Sequence, residues 1–255
     1  MYPYIHIFGR TLGTYGILMA VACLLVGVIA SRRVKQRGAA AEDVVIVGAT
    51  AVGVGLLCGA ILYFLVTYPL DVLLQAIITW NFDGIGIGIV FYGALIGGVF
   101  GALLGCRIAK CNTGAIIRSI VPYIPLGHGI GRIGCILGGC CYGFAGYTGP
   151  LAIYYPHHHT GAQPGVGYFP VQLVEAFINI FITIFLVRFE KKCKRAWDVL
   201  FAYLASYAVV RFCLEYLRGD AIRGLFSGVS TSQWISIGLL AISAGYFIIV
   251  NKKHR

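Results

Sequence analysis

Apolar stretches close to the roughly 20 residues that a helix needs to cross the hydrocarbon of a bilayer recur along the whole of this 255-residue sequence. They run over residues 12–30, 44–66, 85–104, 169–187, 197–217 and 234–250, with a weaker seventh over 116–137. The run 72–80 is too short to cross and carries Gln75, so it reads as an amphipathic segment lying at the interface. With 59% hydrophobic and 11% charged residues and a mean hydropathy of +0.85, a soluble globular domain is excluded. The pattern predicts an all-α, polytopic integral membrane protein of about seven transmembrane helices, forming a single transmembrane domain over residues 1–255.

The net charge of +11 would suit nucleic acid, but its placement argues otherwise. Basic residues gather in the segments 32–37, 107–118, 188–195 and 252–255, which together hold fifteen of the 20 Lys and Arg. Those segments fall on one side of the membrane if the N-terminus is outside and the C-terminus cytoplasmic, as the positive-inside rule requires. The first apolar run is not a cleaved signal peptide on this reading, because its positive charges follow the apolar core instead of preceding it. Five basic residues remain, Arg10, Arg132, Arg211, Arg218 and Arg223, in spans or toward the outer side.

Of nine cysteines, Cys23, Cys58, Cys106, Cys111, Cys193 and Cys213 fall in spans or on the cytoplasmic side and read as small apolar packers rather than a disulfide framework. The glycine-rich run from Gly93 to Gly105 repeats small residues at helix-face spacing, which lets backbones approach closely in lipid.

A charge deep in a span costs from about 3 to more than 10 kcal/mol, so each needs a partner or a purpose. His128 and Arg132, four apart in PLGHGIGRIGC, share a helix face. The surrounding glycines, with Pro122 and Pro125 just before, predict a weakened helix with backbone N–H groups free to meet an anion. Gln172 and Glu175 fall together on the fifth span, and Arg211, Glu215 and Arg218 on the sixth. Under the topology above, these three faces converge on one polar site in the outer half of the membrane. More guanidiniums than carboxylates suit a phosphate diester, and the phosphate available at that depth is a phospholipid head group. The competing reading is that Arg211 and Glu215 only tie helices together and that Arg218 snorkels to the surface.

Cys135 and the segment GCCYG from Gly139 to Gly143 could hold a metal, a disulfide or a reactive thiol. Adjacent cysteines lack the usual ligand gap and have no matching pair, which argues against zinc and favours packing, so no metal is expected. His157, His158 and His159 read as solvated.

In order along the chain, YPYIHIFG, TYGILM, GALIG, IVPYIPLGHGIGRIG closed by Gly143, FPVQLVEA, RFCLEYLRGD and STSQWIS resemble the prolipoprotein diacylglyceryl transferase family of bacterial plasma membranes. The resemblance implies a multi-pass enzyme that moves the diacylglyceryl group of phosphatidylglycerol to the lipobox cysteine thiol in a prolipoprotein signal peptide, releasing glycerol phosphate. No cofactor is implied, and the partners would be phosphatidylglycerol, membrane lipids and the prolipoprotein, with no nucleic acid. By motif position Arg132 resembles the family's lipid-binding arginine, with Gln172, Glu175, Gly143 and Arg218 beside it in substrate binding. Tyr15, Arg211 and Glu215 match catalytic positions. Departures concentrate in one place. Where the family shows GNxxNGE, this chain reads GCILGGC, which puts Cys135, Gly138 and Cys140 at the asparagines and the glutamate. Family histidines are here Tyr92 and Phe169, and an arginine is Ala60. His128, one turn from Arg132, is the expected replacement base. The rival reading is a non-catalytic phospholipid-binding or translocating protein; a solute transporter is disfavoured, since no repeated halves appear.

Overall fold

The computed structural model describes residues 3–7, 10–80, 86, 88, 90–156, 162–219, 225–226 and 229–252. The histidine triplet 157–159, Arg223 and the side chain of Tyr92 lie outside the described residues. In chain order the elements are β1 (Tyr4–Ile7), β2 (Arg10–Gly13), α1 (Thr14–Lys35), α2 (Ala41–Thr67), α3 (Leu70–Thr79), α4 (Phe91–Ile108), α5 (Thr113–Ile120), a 3-10 turn (Val121–Tyr123) and α6 (Ile124–Gly138). There follow β3 (Ile153–Tyr154), β4 (Gly167–Tyr168), α7 (Val171–Glu190), α8 (Ala196–Leu214), a 3-10 turn (Glu215–Leu217), β5 (Leu225–Phe226), β6 (Val229–Ser230) and α9 (Thr231–Lys252).

Among the described residues six helical segments are long and apolar enough to cross a membrane, and the shorter apolar helix Gly93–Ile108 within α4 stands where the remaining expected span was placed. The weak span materialises as α5, the 3-10 turn and α6 in succession. Pro122 and Pro125 cannot donate to the preceding turn, so the i→i+4 ladder changes pitch there. Among the described residues three antiparallel strand pairs, β1–β2, β3–β4 and β5–β6, were not anticipated, because strands of two to four residues are too short to show a period.

The chain packs as two units. In the one formed by Ala30–Ile116, α4 lies against α2 through Gly93, Gly97, Gly101 and Gly105, as the small-residue spacing predicts. A Cβ on Gly93 would come within 2.6 Å of the Cys58 carbonyl oxygen, and one on Gly101 would overlap that of Thr50, neither of which can retreat. Gly101→Val is therefore expected to destabilise the protein by at least about 1–3 kcal/mol, read as a lowered melting temperature in detergent. Gly53→Ala, where added atoms meet open space, should leave it unchanged or raise it.

The other unit, Met1–Ile29 with Ile117–Arg255, is built on α6 to α9 and the first part of α1. Its core joins Ile117 and Val121 to Ile182 and Leu186 of α7 and to Val199, Ala202 and Tyr203 of α8. Helix α7 turns the usual amphipathicity inside out: Gln172, Glu175, Asn179 and Thr183 are buried, while Phe177, Phe181 and Phe185 are exposed, the arrangement suited to apolar solvent. At the basic end Arg118 donates to the carbonyls of Glu190 (3.1 Å) and Cys193 (3.0 Å) and pairs with the Glu190 carboxylate at 3.3 Å, locking the α7–α8 turn.

The glycines of α6 correct an expectation. The helix is continuous from Ile124 to Gly138, so its interior N–H groups are spent in the ladder and are not free for an anion. The glycines serve close approach instead. Added Cβ atoms would lie 3.2 Å from the Ala176 carbonyl oxygen at Gly129, 3.0 Å from Met19 Sδ at Gly131 and 3.1 Å from Tyr15 Cδ2 at Gly134. Helices α7 and α1 thus pack onto two faces of α6 almost backbone to backbone.

Candidate functional site

Arg132 of α6 points at α7, where its Nη2 lies 2.9 Å from Glu175 Oε1. Glu175 is only 2% exposed, so a carboxylate held there needs its cation. From α8, Tyr207 comes within hydrogen-bonding reach of Arg132, and its ring lies 5.0 Å from that of His128. Tyr207 feels the charges of Glu175, Arg132 and Arg211 alike, which joins the three helices at one place. His128 shares the face with Arg132 as its spacing predicts. Its Nδ1 is buried with no hydrogen-bond partner among the described residues, as a proton acceptor awaiting a donor would be.

Arg211 pairs with Glu215 at 2.7 Å, one turn along, and donates through Nη2 to Ser232 Oγ at 3.0 Å. The serine is set by the start of α9, where Ser230 and Gln233 form a reciprocal cap: the Ser230 N–H donates to Gln233 Oε1 (3.1 Å) and the Gln233 N–H to Ser230 Oγ (3.2 Å). Held from two sides, Arg211 keeps Nη1 buried and without a partner among the described residues. A buried guanidinium N–H left open in this way suits an anionic oxygen brought by a ligand.

A strap of backbone after α6 joins these helices. Gly143 bridges Arg218, the Phe144 N–H donates to the Leu217 carbonyl (3.1 Å) and the Gly219 N–H to that of Tyr142 (3.1 Å). A Cβ at Gly143 would run into the Phe169 carbonyl oxygen and lie 3.0 Å from that of Leu217, so only glycine fits between the two strands of backbone. Tyr142, Ile153, Tyr155, Ala162 and Tyr168 form a small buried cluster under the β3–β4 strand pair. Beneath it Gln172, 1% exposed, donates through Nε2 to the Cys140 carbonyl (2.9 Å) and the Tyr155 hydroxyl (3.0 Å). Burial pushes the Tyr155 hydroxyl up to about 12, so it stays protonated. Gln172→Leu would leave the Cys140 carbonyl without that donor, at about 1–3 kcal/mol; a detergent melt should fall accordingly, while Gln172→Glu at low pH, protonated and able to donate, should recover part of it.

Tyr15, near the start of α1, is half exposed and lies over Gly134 of α6, within the field of Arg132 and of Cys135, Cys140 and Cys141. The sulfurs of those three cysteines all fall within 4.8 Å of one another. Cys141 is held below the ordinary thiol range by hydrogen bonds that Cys135 and Cys140 donate to it, and further by the Arg218 guanidinium. The structure links Arg132 with Glu175 and, through Tyr207, with His128; Arg211 with Glu215; Gly143 with Arg218; and Gln172 with the Cys140 carbonyl, while Tyr15 lies over Gly134. Sequence reading missed Tyr207 and Ser232, whose signals are contacts between helices, Tyr155, whose signal is a contact from the segment after β3 to α7, and Asn179 and Thr183, which continue the α7 polar stripe at i+4 and were open to detection.

Arg132 and Arg211 thus each face one carboxylate, Glu175 and Glu215, and Arg218 lies against Cys141. The sequence model of "Prolipoprotein diacylglyceryl transferase" matches residues 3–249. A protein of Clostridium perfringens named phosphatidylglycerol–prolipoprotein diacylglyceryl transferase 2 is 33% identical over 92% of this chain and 90% of its own length. Proteins of Clostridium tetani and Clostridioides difficile named phosphatidylglycerol–prolipoprotein diacylglyceryl transferase are 30% identical (95% of this chain, 94% of the relative) and 31% identical (98% and 95%). With the match running through every element that builds the site, the chain belongs to the prolipoprotein diacylglyceryl transferase family.

Proposed function

We propose that this chain transfers the diacylglyceryl group of phosphatidylglycerol to the lipobox cysteine thiol of a prolipoprotein, in a bacterial plasma membrane, with release of glycerol phosphate. The observation that carries the reading is the buried cluster in which Arg132 and Arg211 each keep a carboxylate partner while Arg211 Nη1 stays open. The sulfur of the acceptor forms a C–S bond to the glycerol carbon as the C–O bond to phosphate breaks. The bonding pair leaves on the phosphate oxygen, so the phosphate passes from a diester monoanion to a monoester bearing a second charge. Stabilising that growing charge is work for fixed guanidiniums in a water-poor site, where one preorganised donor is worth about 10²–10³ in rate.

Arg211 and Arg132 are assigned to the phosphate, with Gln172, Glu175, Gly143 and Arg218 shaping the head-group site. His128 is assigned to proton removal from the thiol, and Tyr15, on the exposed edge of α1, to the approach of the acceptor. Glu215 fixes the Arg211 fork. The site is assigned to the outer half of the membrane, with the N-terminus outside.

Expression of this chain in a bacterium whose own diacylglyceryl transferase is shut off tests the reading. Lipoproteins should regain their lipid, seen as a mass gain of one diacylglyceryl group on the lipobox cysteine. Unmodified precursors accumulating beside a stably inserted chain would favour a protein that binds phospholipid without transfer.

A further inference from the structure

Among the described residues one group of three metal-ligating side chains converges, and it lies at the C-terminal end of α6. Three features of the backbone build it. Helix α6 ends in a Schellman motif: Gly139 takes the left-handed conformation (φ 72°), its N–H donates to the Ile136 carbonyl (3.2 Å), and the Cys140 N–H donates to that of Cys135 (3.0 Å). That motif folds the residue after the glycine back onto the residue five before it, here cysteine onto cysteine. Cys141 is itself left-handed (φ 59°), a conformation uncommon for a residue with a Cβ, and this brings its sulfur to the same point. Gln172, finally, pins the Cys140 carbonyl from α7.

The sulfurs lie within 4.8 Å of one another with no disulfide among them. A tetrahedral centre with Zn–S bonds of about 2.3 Å spaces its sulfurs about 3.8 Å apart, so the group needs to contract by only about 1 Å to close on one ion. Cys135 is buried, and Cys140 and Cys141 are half-buried, leaving the cluster open on one side. Arg218 hydrogen-bonds Cys141, and Arg132 feels the charge of both Cys135 and Cys141. Three thiolates on a divalent ion carry one net negative charge, and the Arg218 guanidinium beside Cys141 favours that charge.

We propose that Cys135, Cys140 and Cys141 form a three-thiolate site for a divalent d10 cation of the zinc type, with a fourth position open to the thiol of the acceptor peptide. Three protein ligands with one open position is the pattern of catalytic rather than structural zinc. On binding, the ion displaces the three thiol protons to water. The acceptor's S–H then coordinates, is made acidic by the ion, and gives its proton to the base assigned above, His128. The bound sulfur supplies the electron pair for the C–S bond, the phosphate departs with the C–O pair, and the ion keeps its oxidation state. This use of the open position rests on the transfer reading above; the metal site itself does not.

Cobalt(II) alone, titrated anaerobically into the reduced full-length protein in detergent, is the probe. One equivalent should produce thiolate-to-metal charge-transfer absorption that zinc then bleaches, and a lipobox peptide should shift the visible d–d bands while its Cys→Ser counterpart does not. Cys135→Ser, Cys140→Ser and Cys141→Ser should each weaken binding about 100-fold or more, since each removes a ligand, and Cys193→Ser should not. Should a variant fail to fold, zinc protection of these three thiols from maleimide in the unaltered protein, mapped by peptide mass, reads the same site. Reduced protein that shows no charge-transfer band and no protection overturns the proposal, as does binding indifferent to the three substitutions. A spectrum that saturating thiol peptide leaves unmoved, or full transfer by chelator-stripped protein, overturns the open position while leaving the transfer reading intact.

Discussion

Arg132→Ala paired with Glu175→Gln should yield a folded protein that transfers less than about one hundredth of the diacylglyceryl moved by the unaltered chain. The pairing of substitutions matters. Arg132→Ala alone strands Glu175, 2% exposed, as an uncompensated carboxylate, at about 3–5 kcal/mol, so its inactivity would not separate lost chemistry from lost structure. The double variant removes both charges, and its melting temperature in detergent should stay near that of the parent. Arg132→Lys keeps the charge but loses the planar fork that holds Glu175 at 2.9 Å and could grip a phosphate at the same time, and should fall between the two. A double variant that melts normally and still transfers at the parent rate would remove Arg132 from the chemistry and leave it a helix tie.

Arg211→Lys is expected to be nearly as damaging, for a different reason. Arg211 already spends Nη2 on Ser232 and Glu215, and the nitrogen it has to spare is Nη1. A lysine ammonium satisfies the standing partners without presenting a second, rigidly placed donor. The loss should therefore appear in kcat, about 10²-fold, with less change in the KM for phosphatidylglycerol, because the missing hydrogen bond strengthens as charge grows on the departing phosphate. Glu215→Gln should cost less, since it loosens the fork without removing it. A KM effect alone for Arg211→Lys would mean that the side chain holds the head group in the ground state and does no more.

Which of these residues a reader finds in the sequence follows from the kind of signal each leaves. His128 with Arg132, Gln172 with Glu175 and Arg211 with Glu215 announce themselves because a charge in an apolar run is costly and because i+3 and i+4 spacing places pairs on one face. The same spacing says nothing about which faces meet, so Tyr207 between Arg132 and His128, and Ser232 behind Arg211, emerge only when α6, α8 and α9 pack. The glycines of α6 misled in an instructive way. Read as breakers of a helix they promised free N–H groups, whereas in lipid small residues let helices touch, and Gly129, Gly131 and Gly134 do that against α7 and α1. The cysteines carry a signal of another kind. Judged as linear ligand spacing, GCILGGCC is a poor metal motif, but a glycine three residues after Ile136 is also a Schellman signature, and a Schellman end brings the residue after the glycine, Cys140, back over the residue five before it, Cys135.

Purified chain in detergent, given phosphatidylglycerol labelled separately in its diacylglycerol and head-group moieties together with a lipobox peptide, offers the most direct test of the central claim. The account requires peptide carrying the diacylglycerol label in thioether linkage and free glycerol phosphate carrying the head-group label, in equal amounts, with both lost in the Arg132→Ala, Glu175→Gln variant. Folded protein that binds the lipid and leaves the peptide unmodified, or that moves a single acyl chain with no glycerol phosphate released, would contradict it.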